Sequence, residues 1–371
     1  MKHSFKNKGS KAWLKLLSLA LVSGLFLSAC NAGGSGETTT VTTAPVTTTA
    51  ATETESAASS SETTTEAPSD LSTEGSETQT ETTEAAAAAD LPVTDRAGYP
   101  LSLEAPANTV AVMAPAYAQI MEGLGVLDRI IVVDTNTPSA VAGLDEITQM
   151  DLFAPNIETL IDERPDLVLA SSISLAGGSD NPFQQVVDAG IPVAYFPTAD
   201  SLTDIAEDIR FIGDVLGLSE EGAALAADFE ANLETLAEAA AAVETPKTAL
   251  FEVAPAPEIY SFGSGVYLHE MLETIGAVNI LSDQEGWLPV TEEAALAADP
   301  DVIFTSANWL PDPVRDVLDR AAWQGVTAVT NEEVYYIENN HTQLPSQKVA
   351  DGMLEMAQAI YPEAFGDVTL R

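Results

Sequence analysis

NIETLIDERPDLVLAS, residues 156–171, and TEEAALAADPDVIFTS, residues 291–306, carry one pattern twice. Each places a Glu (Glu158, Glu293) seven residues ahead of a Pro-Asp pair, and after that pair comes a run of β-formers closing on Ser. A helix that turns straight into a buried strand is the building unit of an α/β layer. Two copies far apart in one chain predict two such layers.

Reading outward, strands and helices alternate around the first copy. TVAVM (109–113), RIIVVD (129–134), DLVLAS (166–171) and PVAYF (192–196) read as strands. AYAQIMEGLG (116–125) and NPFQQVVDAG (181–190) read as helices ended by glycine. Ser201 with Asp204 forms a capping pair for a helix burying Ile205, Ile209, Ile212 and Leu216. Around the second copy, KTALFEV (247–253), DVIFTS (301–306) and EVYYIE (333–338) are strands. VYLHEMLETIG (266–276), DPVRDVLDRAAW (312–323) and PSQKVADGMLEMAQAIY (345–361) are helices. A turn around Arg96 to Gly98 suggests a hairpin at 91–103.

Between the halves, Ser219 to Val243 is rich in Ala, Glu and Leu and lacks Pro, with Pro246 just beyond. Leu225, Phe229, Leu233 and Leu236 make one narrow stripe. As a helix of roughly 37 Å it suits a strut between lobes better than another core helix. The predicted fold class is therefore α/β: two Rossmann-like lobes with central parallel sheets, 91–218 and 246–371, joined by one long α-helix, 219–245.

The N-terminus bears on location. Lys2, Lys6, Lys8, Lys11 and Lys15 precede LLSLALVSGLFL, an apolar run too short for a comfortable membrane span. LSAC, residues 27–30, resembles a bacterial lipobox. The resemblance implies a signal peptide at 1–29, cleavage before Cys30 and a diacylglyceryl group on that cysteine, which is the only one in the chain. Residues 31–89 are mostly Thr, Ser, Glu, Ala and Gly, without Lys or Arg. Such a segment buries too little apolar surface to offset its ordering entropy, so 30–90 reads as a lipidated cysteine followed by a disordered stalk, roughly 45 Å end to end. Sugar on its threonines is a sharper reading of the same composition.

A formal charge of −43 leaves no basic stripe for nucleic acid and none for acidic lipid. One cysteine excludes an intrachain disulfide and a multi-cysteine metal site. There is no nucleophile elbow, Walker loop or strand-to-helix G-x-G-x-x-G. HEMLE, 269–273, has half of a zinc-protease motif but ends in Glu273, so His269 and Glu273 read as a solvated helix face.

The hairpin opening, MAPAYAQIMEGLGVLDRIIVVD, NIETLIDERPDLVLAS, the long helix and GWLPVTEEAALAADPDVIF resemble, in that order and spacing, the iron-chelate/cobalamin class of ABC-transporter substrate-binding proteins over residues 91–365. The resemblance implies a class III periplasmic-binding-protein-like fold with a ligand cleft between lobes that move little. It also implies that Glu158 and Glu293 dock onto arginines of a two-fold permease dimer served by an ATPase. The plainer alternative is that each Glu only favours its helix N-terminus. Many members carry a Glu where this chain has Gln119, so any docking role of that position is altered here.

Open α/β sheets bind ligand beyond the C-terminal strand ends. That rule nominates Pro115, Tyr117, Asn136, Thr137, Ser171 and Ser172 in the first lobe, and Tyr260, Phe262, Asn308, Trp309, Asn340 and His341 in the second. Trp287 matches a cleft tryptophan of cobalamin-binding members. These loops hold no Lys or Arg, which disfavours tri-anionic catecholate iron and suits a corrinoid or a ferric hydroxamate siderophore. Haem is an alternative, with Tyr260, Tyr117 or His341 as axial ligand, although a loop histidine such as His341 is more often bonded to backbone than ligating. The expectation is a monomeric lipoprotein, anchored to the cell membrane through Cys30 alone on the extracytoplasmic face, with no resident cofactor or metal and no catalysis. It hands a metal chelate to an ABC permease. A stalked adhesin on the same fold is the rival reading, and an enzyme with a cryptic site a third.

Overall fold

The computed structural model describes residues 91–175 and 181–371. Cys30, the signal-like segment and the Thr/Ser/Glu-rich stretch lie outside the described residues. None of the described helices is long and apolar enough to cross a membrane.

The first lobe comprises β1 (Val110–Val112), α1 (Pro115–Gly123), β2 (Ile130–Asp134), α2 (Thr137–Ala140), β3 (Thr148–Met150), α3 (Ile157–Glu163), β4 (Leu167–Ser171), α4 (Gln184–Asp188), β5 (Val193–Phe196) and α5 (Leu202–Val215). Its sheet is fully parallel, in the order β3-β2-β1-β4-β5. The order reverses between β1 and β4, the crossover that opens a crevice in doubly wound sheets. After α6 (Ser219–Ala240), the second lobe contains β6 (Thr248–Glu252), β7 (Ile259–Phe262), α7 (Tyr267–Thr274), β8 (Val278–Asn279), β9 (Trp287–Val290), α8 (Glu292–Ala298), β10 (Val302–Thr305), α9 (Pro313–Leu318), α10 (Thr327–Thr330), β11 (Val334–Tyr336), α11 (Val349–Ile360) and α12 (Pro362–Phe365). Its main sheet is parallel, β11-β10-β6-β8, and β7 pairs antiparallel with β9 beside it.

The repeated sentence is a repeated structure. Asn156 Oδ1 caps α3 through Thr159 N (3.1 Å), and Thr291 Oγ1 caps α8 through Ala294 N (3.2 Å). Both helices end on a left-handed residue, Arg164 (φ 51°) and Asp299 (φ 45°), and the prolines that follow forbid continuation. Each Pro-Asp then makes a clasp. Asp166 Oδ2 accepts Asn108 N and Thr109 N, each at 2.9 Å, while Asp166 N donates to Thr109 Oγ1. Asp301 Oδ2 accepts Thr248 N (2.9 Å) and Thr248 Oγ1 (2.7 Å), and Asp301 N returns a bond to Thr248 Oγ1. The clasps pin the starts of neighbouring central strands, setting the registers Val110↔Leu167 and Ala249↔Val302.

Partial burial pushes the Asp166 carboxyl up, but the bonds from Thr109 and Asn108 outweigh it and hold it below the usual range. The bonds from Thr248 do the same for Asp301. An acid held low in the folded state stabilises above its unfolded value, 3.8 for Asp, and loses that contribution as pH falls through the folded value. Asp166→Asn and Asp301→Asn are therefore expected to lower the melting temperature at neutral pH and to flatten its fall below about pH 4. Thermal unfolding across pH checks this; an unchanged acid limb in both variants would remove the clasps from the account.

The strut is shorter than its sequence suggests, ending at Ala240 in a turn before Pro246. Its buried face is Gly222, Ala226, Phe229, Asn232 and Leu236, whereas Leu225 and Leu233 are only partly buried. The cause is a close crossing with α5: a Cβ on Gly213 would stand 2.7 Å from Gly222 Cα, so the two helices touch backbone to backbone. Farther along, α6 packs on α7, α11 and α12 of the second lobe. The α5 cap is formed as expected, with Ser201 Oγ accepting Asp204 N and Asp204 Oδ2 accepting Ser201 N.

The expected hairpin is reduced to one bridge, Thr94 with Pro100. Asp95 takes over, accepting Tyr99 N and Tyr195 N, and Arg96 binds Asp208 of α5 at 2.6 Å. Burial pushes the Asp208 carboxyl up to about 7 despite that guanidinium. Three cores result. One lies within the first lobe around Phe183 and Val168, and one within the second around Trp323 and Ile303. The largest runs through both lobes and the strut.

Candidate functional site

A cleft of about 640 Å³ lies where the C-terminal strand ends of both sheets meet. The first lobe contributes Met113 to Pro115 after β1, Asp134 to Asn136 after β2, and Asp151 to Phe153 after β3. From the second lobe come Val253 after β6, Asn308 and Trp309 after β10, and Asn339, Asn340, Gln343 and Leu344 after β11. A shallower depression on α9, between Arg315, Asp319, Arg320 and Asp316, lies elsewhere, and its charges pair with one another.

The amides of the second lobe are fixed from behind. Asn339 Nδ2 donates to the Ser306 carbonyl (2.9 Å) and Gln343 Nε2 to Ser306 Oγ (3.1 Å). Asn340 Nδ2 crosses to the Ser139 carbonyl of the first lobe at 3.2 Å. Opposite them, Asp134 is buried at 5 % exposure. Its Oδ1 accepts Asn136 N and Nδ2, each at 2.9 Å, and its Oδ2 accepts Leu152 N at 3.3 Å. Asp151 is exposed and turns its loop by accepting Phe153 N at 2.7 Å. The loop thereby presents Phe153, 54 % exposed, across the cleft from Trp309, 44 % exposed.

Of the sequence-predicted residues, Pro115, Asn136, Asn308, Trp309 and Asn340 line the cleft. Thr137, behind Asn136, is fully buried. Tyr117 is buried with its ring 4.4 Å from Phe196, and burial pushes its hydroxyl well up. Ser171 and Ser172 are half-buried at the end of β4 and do not line the cleft. Tyr260 and Phe262, read as loop residues, stand in β7 opposite Pro289 and Trp287. Phe262 is a core residue at 0 % exposure, and Trp287 packs edge-on against it and Tyr267. The hydrophobic pattern misplaced them because β7 is buried along its whole length and shows no alternation.

Neither described histidine faces the cleft. His341 Nδ1 is bound to Glu355 Oε1 at 2.6 Å, and that bond raises its pKa. The partner is a carboxylate rather than the backbone. His269 is buried, not on a solvated face, between Glu273 (3.4 Å) and Asn279 (3.3 Å). Among the described residues no group of His, Cys, Asp and Glu is arranged to hold a metal ion.

Residues that bolt the lobes together were not legible. Gln119 on α1 is fully buried, with Nε2 donating to the Asn340 carbonyl (3.1 Å) and Oε1 accepting Ser346 Oγ (2.6 Å). Gln347 Nε2 donates to the Gln119 carbonyl at 2.7 Å, and Lys348 pairs with Glu122 at 2.6 Å. At another point of the interface, Glu270 of α7 accepts Leu202 N at 2.7 Å, an acid of one lobe capping a helix of the other. The Gln in place of the family's Glu is the one available signal: a neutral amide both donates and accepts, which a carboxylate cannot.

Glu158 and Glu293 occupy the second position of α3 and α8, and both are exposed. Each helix starts from the C-terminal edge of its sheet, α3 after β3 and α8 after β9, which runs parallel to β6. One acid per lobe thus stands at the same sheet edge as the cleft. Neighbouring Glu292 is engaged, accepting Trp323 Nε1 at 2.8 Å.

The family profile described as "Periplasmic binding protein" matches residues 110–341. An uncharacterized ABC transporter substrate-binding lipoprotein of Bacillus subtilis, YvrC, is 29% identical over 280 residues, covering 74% of this chain and 87% of its own. A cobalamin-binding protein of Halobacterium salinarum is 25% identical over 285 residues, covering 74% and 75%. Among solved structures, the molybdate periplasmic binding protein MolA of Haemophilus influenzae superposes with a TM-score of 0.64 at 22% identity, over 74% of this chain and 93% of that one, a likeness of fold. With the doubly wound sheets, the strut and the shared cleft in place, the chain belongs to the periplasmic binding protein family.

Proposed function

We propose that this protein is the substrate-binding component of an ABC importer and that it captures a corrinoid or ferric hydroxamate chelate between its lobes. One observation carries the reading: the cleft collects the C-terminal strand ends of both sheets and is walled by anchored amides around two aromatic rings. Its volume falls in the usual range of small-molecule sites. The names of the Bacillus and Halobacterium relatives support the importer role and the chelate class respectively. Lipid on Cys30 would tether the protein, as a monomer, on the extracytoplasmic face of the membrane, and Glu158 with Glu293 would meet the permease. No side chain is assigned a catalytic role.

Tryptophan fluorescence tests this, because Trp309 stands in the cleft and is partly exposed. Titration with a corrinoid, a ferric hydroxamate and haem, corrected for ligand absorption, is expected to show saturable quenching by one class with Kd at or below about 1 μM. Trp309→Phe should remove most of the signal. Silence towards every chelate, together with binding to cell surfaces, favours the adhesin reading instead.

A further inference from the structure

The cleft has a charge of one sign only. Asp134 and Asp151 line it, and among the described residues no Lys, Arg or His does. The cations are committed elsewhere: among the described residues every Lys and Arg except Arg164 is bound to a carboxylate or a carbonyl. Lys348, a few residues past the cleft loop, is held by Glu122. Arg164 ends α3, at the sheet edge away from the cleft. Among the described residues no cationic side chain is therefore placed to compensate an anionic guest, whose burial beside two carboxylates would be strongly unfavourable.

A second, independent feature points the same way. Phe153 and Trp309 are among the few large apolar side chains left exposed, and they face the cleft from opposite lobes. Aromatic faces attract cations, Trp most strongly. Asp151 holds Phe153 N, so the acid and the ring sit on one short loop. Acid and aromatic groups together, with no cation, form a receptor for positive charge.

Resting on the cleft as a chelate site, we infer that the cognate ligand is a cation: a metal complex of net positive charge, its charged end set against Asp151 and lodged between Phe153 and Trp309. Burial raises the Asp134 carboxyl, three N–H groups pull it back, and the Asp151 charge adds to the rise. A bound cation relieves that repulsion, so binding and local electrostatics favour each other.

Three ferric trihydroxamates on one backbone, ending in a primary ammonium, an acetylated amine or a succinylated amine, are positive, neutral and negative. Aquated and cyanide-capped corrinoids give a matched positive and neutral pair. Calorimetry at low ionic strength, in whichever class binds, is expected to rank the positive form tightest, with roughly tenfold per step of charge. Added salt should compress the ranking. Asp151→Asn keeps an acceptor for Phe153 N and should cut the ratio of positive to neutral affinity roughly tenfold. Equal affinities, a reversed ranking, or a ratio untouched in Asp151→Asn overturn the charge inference and leave chelate capture standing. Failure of all five complexes to bind overturns chelate capture and this inference with it.

Discussion

Glu158→Ala combined with Glu293→Ala is expected to abolish uptake while leaving ligand affinity within about twofold of the parent protein. Both acids are exposed, each at the second position of a short helix, and neither lines the cleft. The helices are capped by Asn156 and Thr291, so both substitutions leave their first turns intact. Losing one partner of a hydrogen-bonded charge pair at an interface costs about 2–5 kcal/mol, and losing two removes most of a weak docking complex. Each single variant should retain partial transport. Transport by the reconstituted importer, calorimetric affinity and thermal melting together decide the matter. Transport at the parental rate, or affinity lost along with it, would mean the acids do not dock.

Arg320→Ala should lower stability more than either Asp166→Asn or Asp301→Asn. Its guanidinium donates to Glu252 through Nη1 and Nη2, at 2.5 and 2.9 Å, and Glu252 is 0 % exposed at the end of β6. The same guanidinium pairs with Asp316 and lies 5.0 Å above the Trp323 ring. Burial already raises the Glu252 carboxyl, and Arg320 pulls it back. Without Arg320 a buried carboxylate is left uncompensated, a loss of about 3–5 kcal/mol. The melting temperature should fall by on the order of 10 °C. The sign of the pH effect follows: a raised carboxyl takes up its proton in the folded state first, so the deficit shrinks as pH falls. Arg320→Met with Glu252→Gln should recover much of the stability, because it removes both charges together. A deficit that is independent of pH, with no recovery in the double variant, would show that lost packing on Trp323 is the cause.

What the sequence disclosed depended on how strongly each segment was patterned. The central strands β1, β2, β4, β6 and β10 are continuous apolar runs and were legible, as was α5 with its capping pair. Part of the cleft followed from the strand-end rule, giving Pro115, Asn136, Asn308, Trp309 and Asn340. Another part hung on β3, a three-residue edge strand with Met150 alone buried. Without an apolar run there was no strand to see, and the loop carrying Asp151 and Phe153 went unread. The short β7 failed for a different reason: it is buried along its whole length, its four residues show no alternation, and Tyr260 and Phe262 read as loop residues. Gln119 stands out in the sequence as a departure, but its bonds reach Asn340 and Ser346, more than two hundred residues away. Nothing local announces such a partner.

The chain crosses between lobes once, through α6, and the first lobe's sheet is complete by Phe196. The first lobe's sheet can therefore close before the strut emerges, since segments that close locally can fold as they appear. The stretch that bolts onto Gln119 and lines the far wall, residues 339–348, is made long after that sheet. The grip therefore forms after the first sheet: a polypeptide that lacks this stretch has no closed jaw in which to trap cargo.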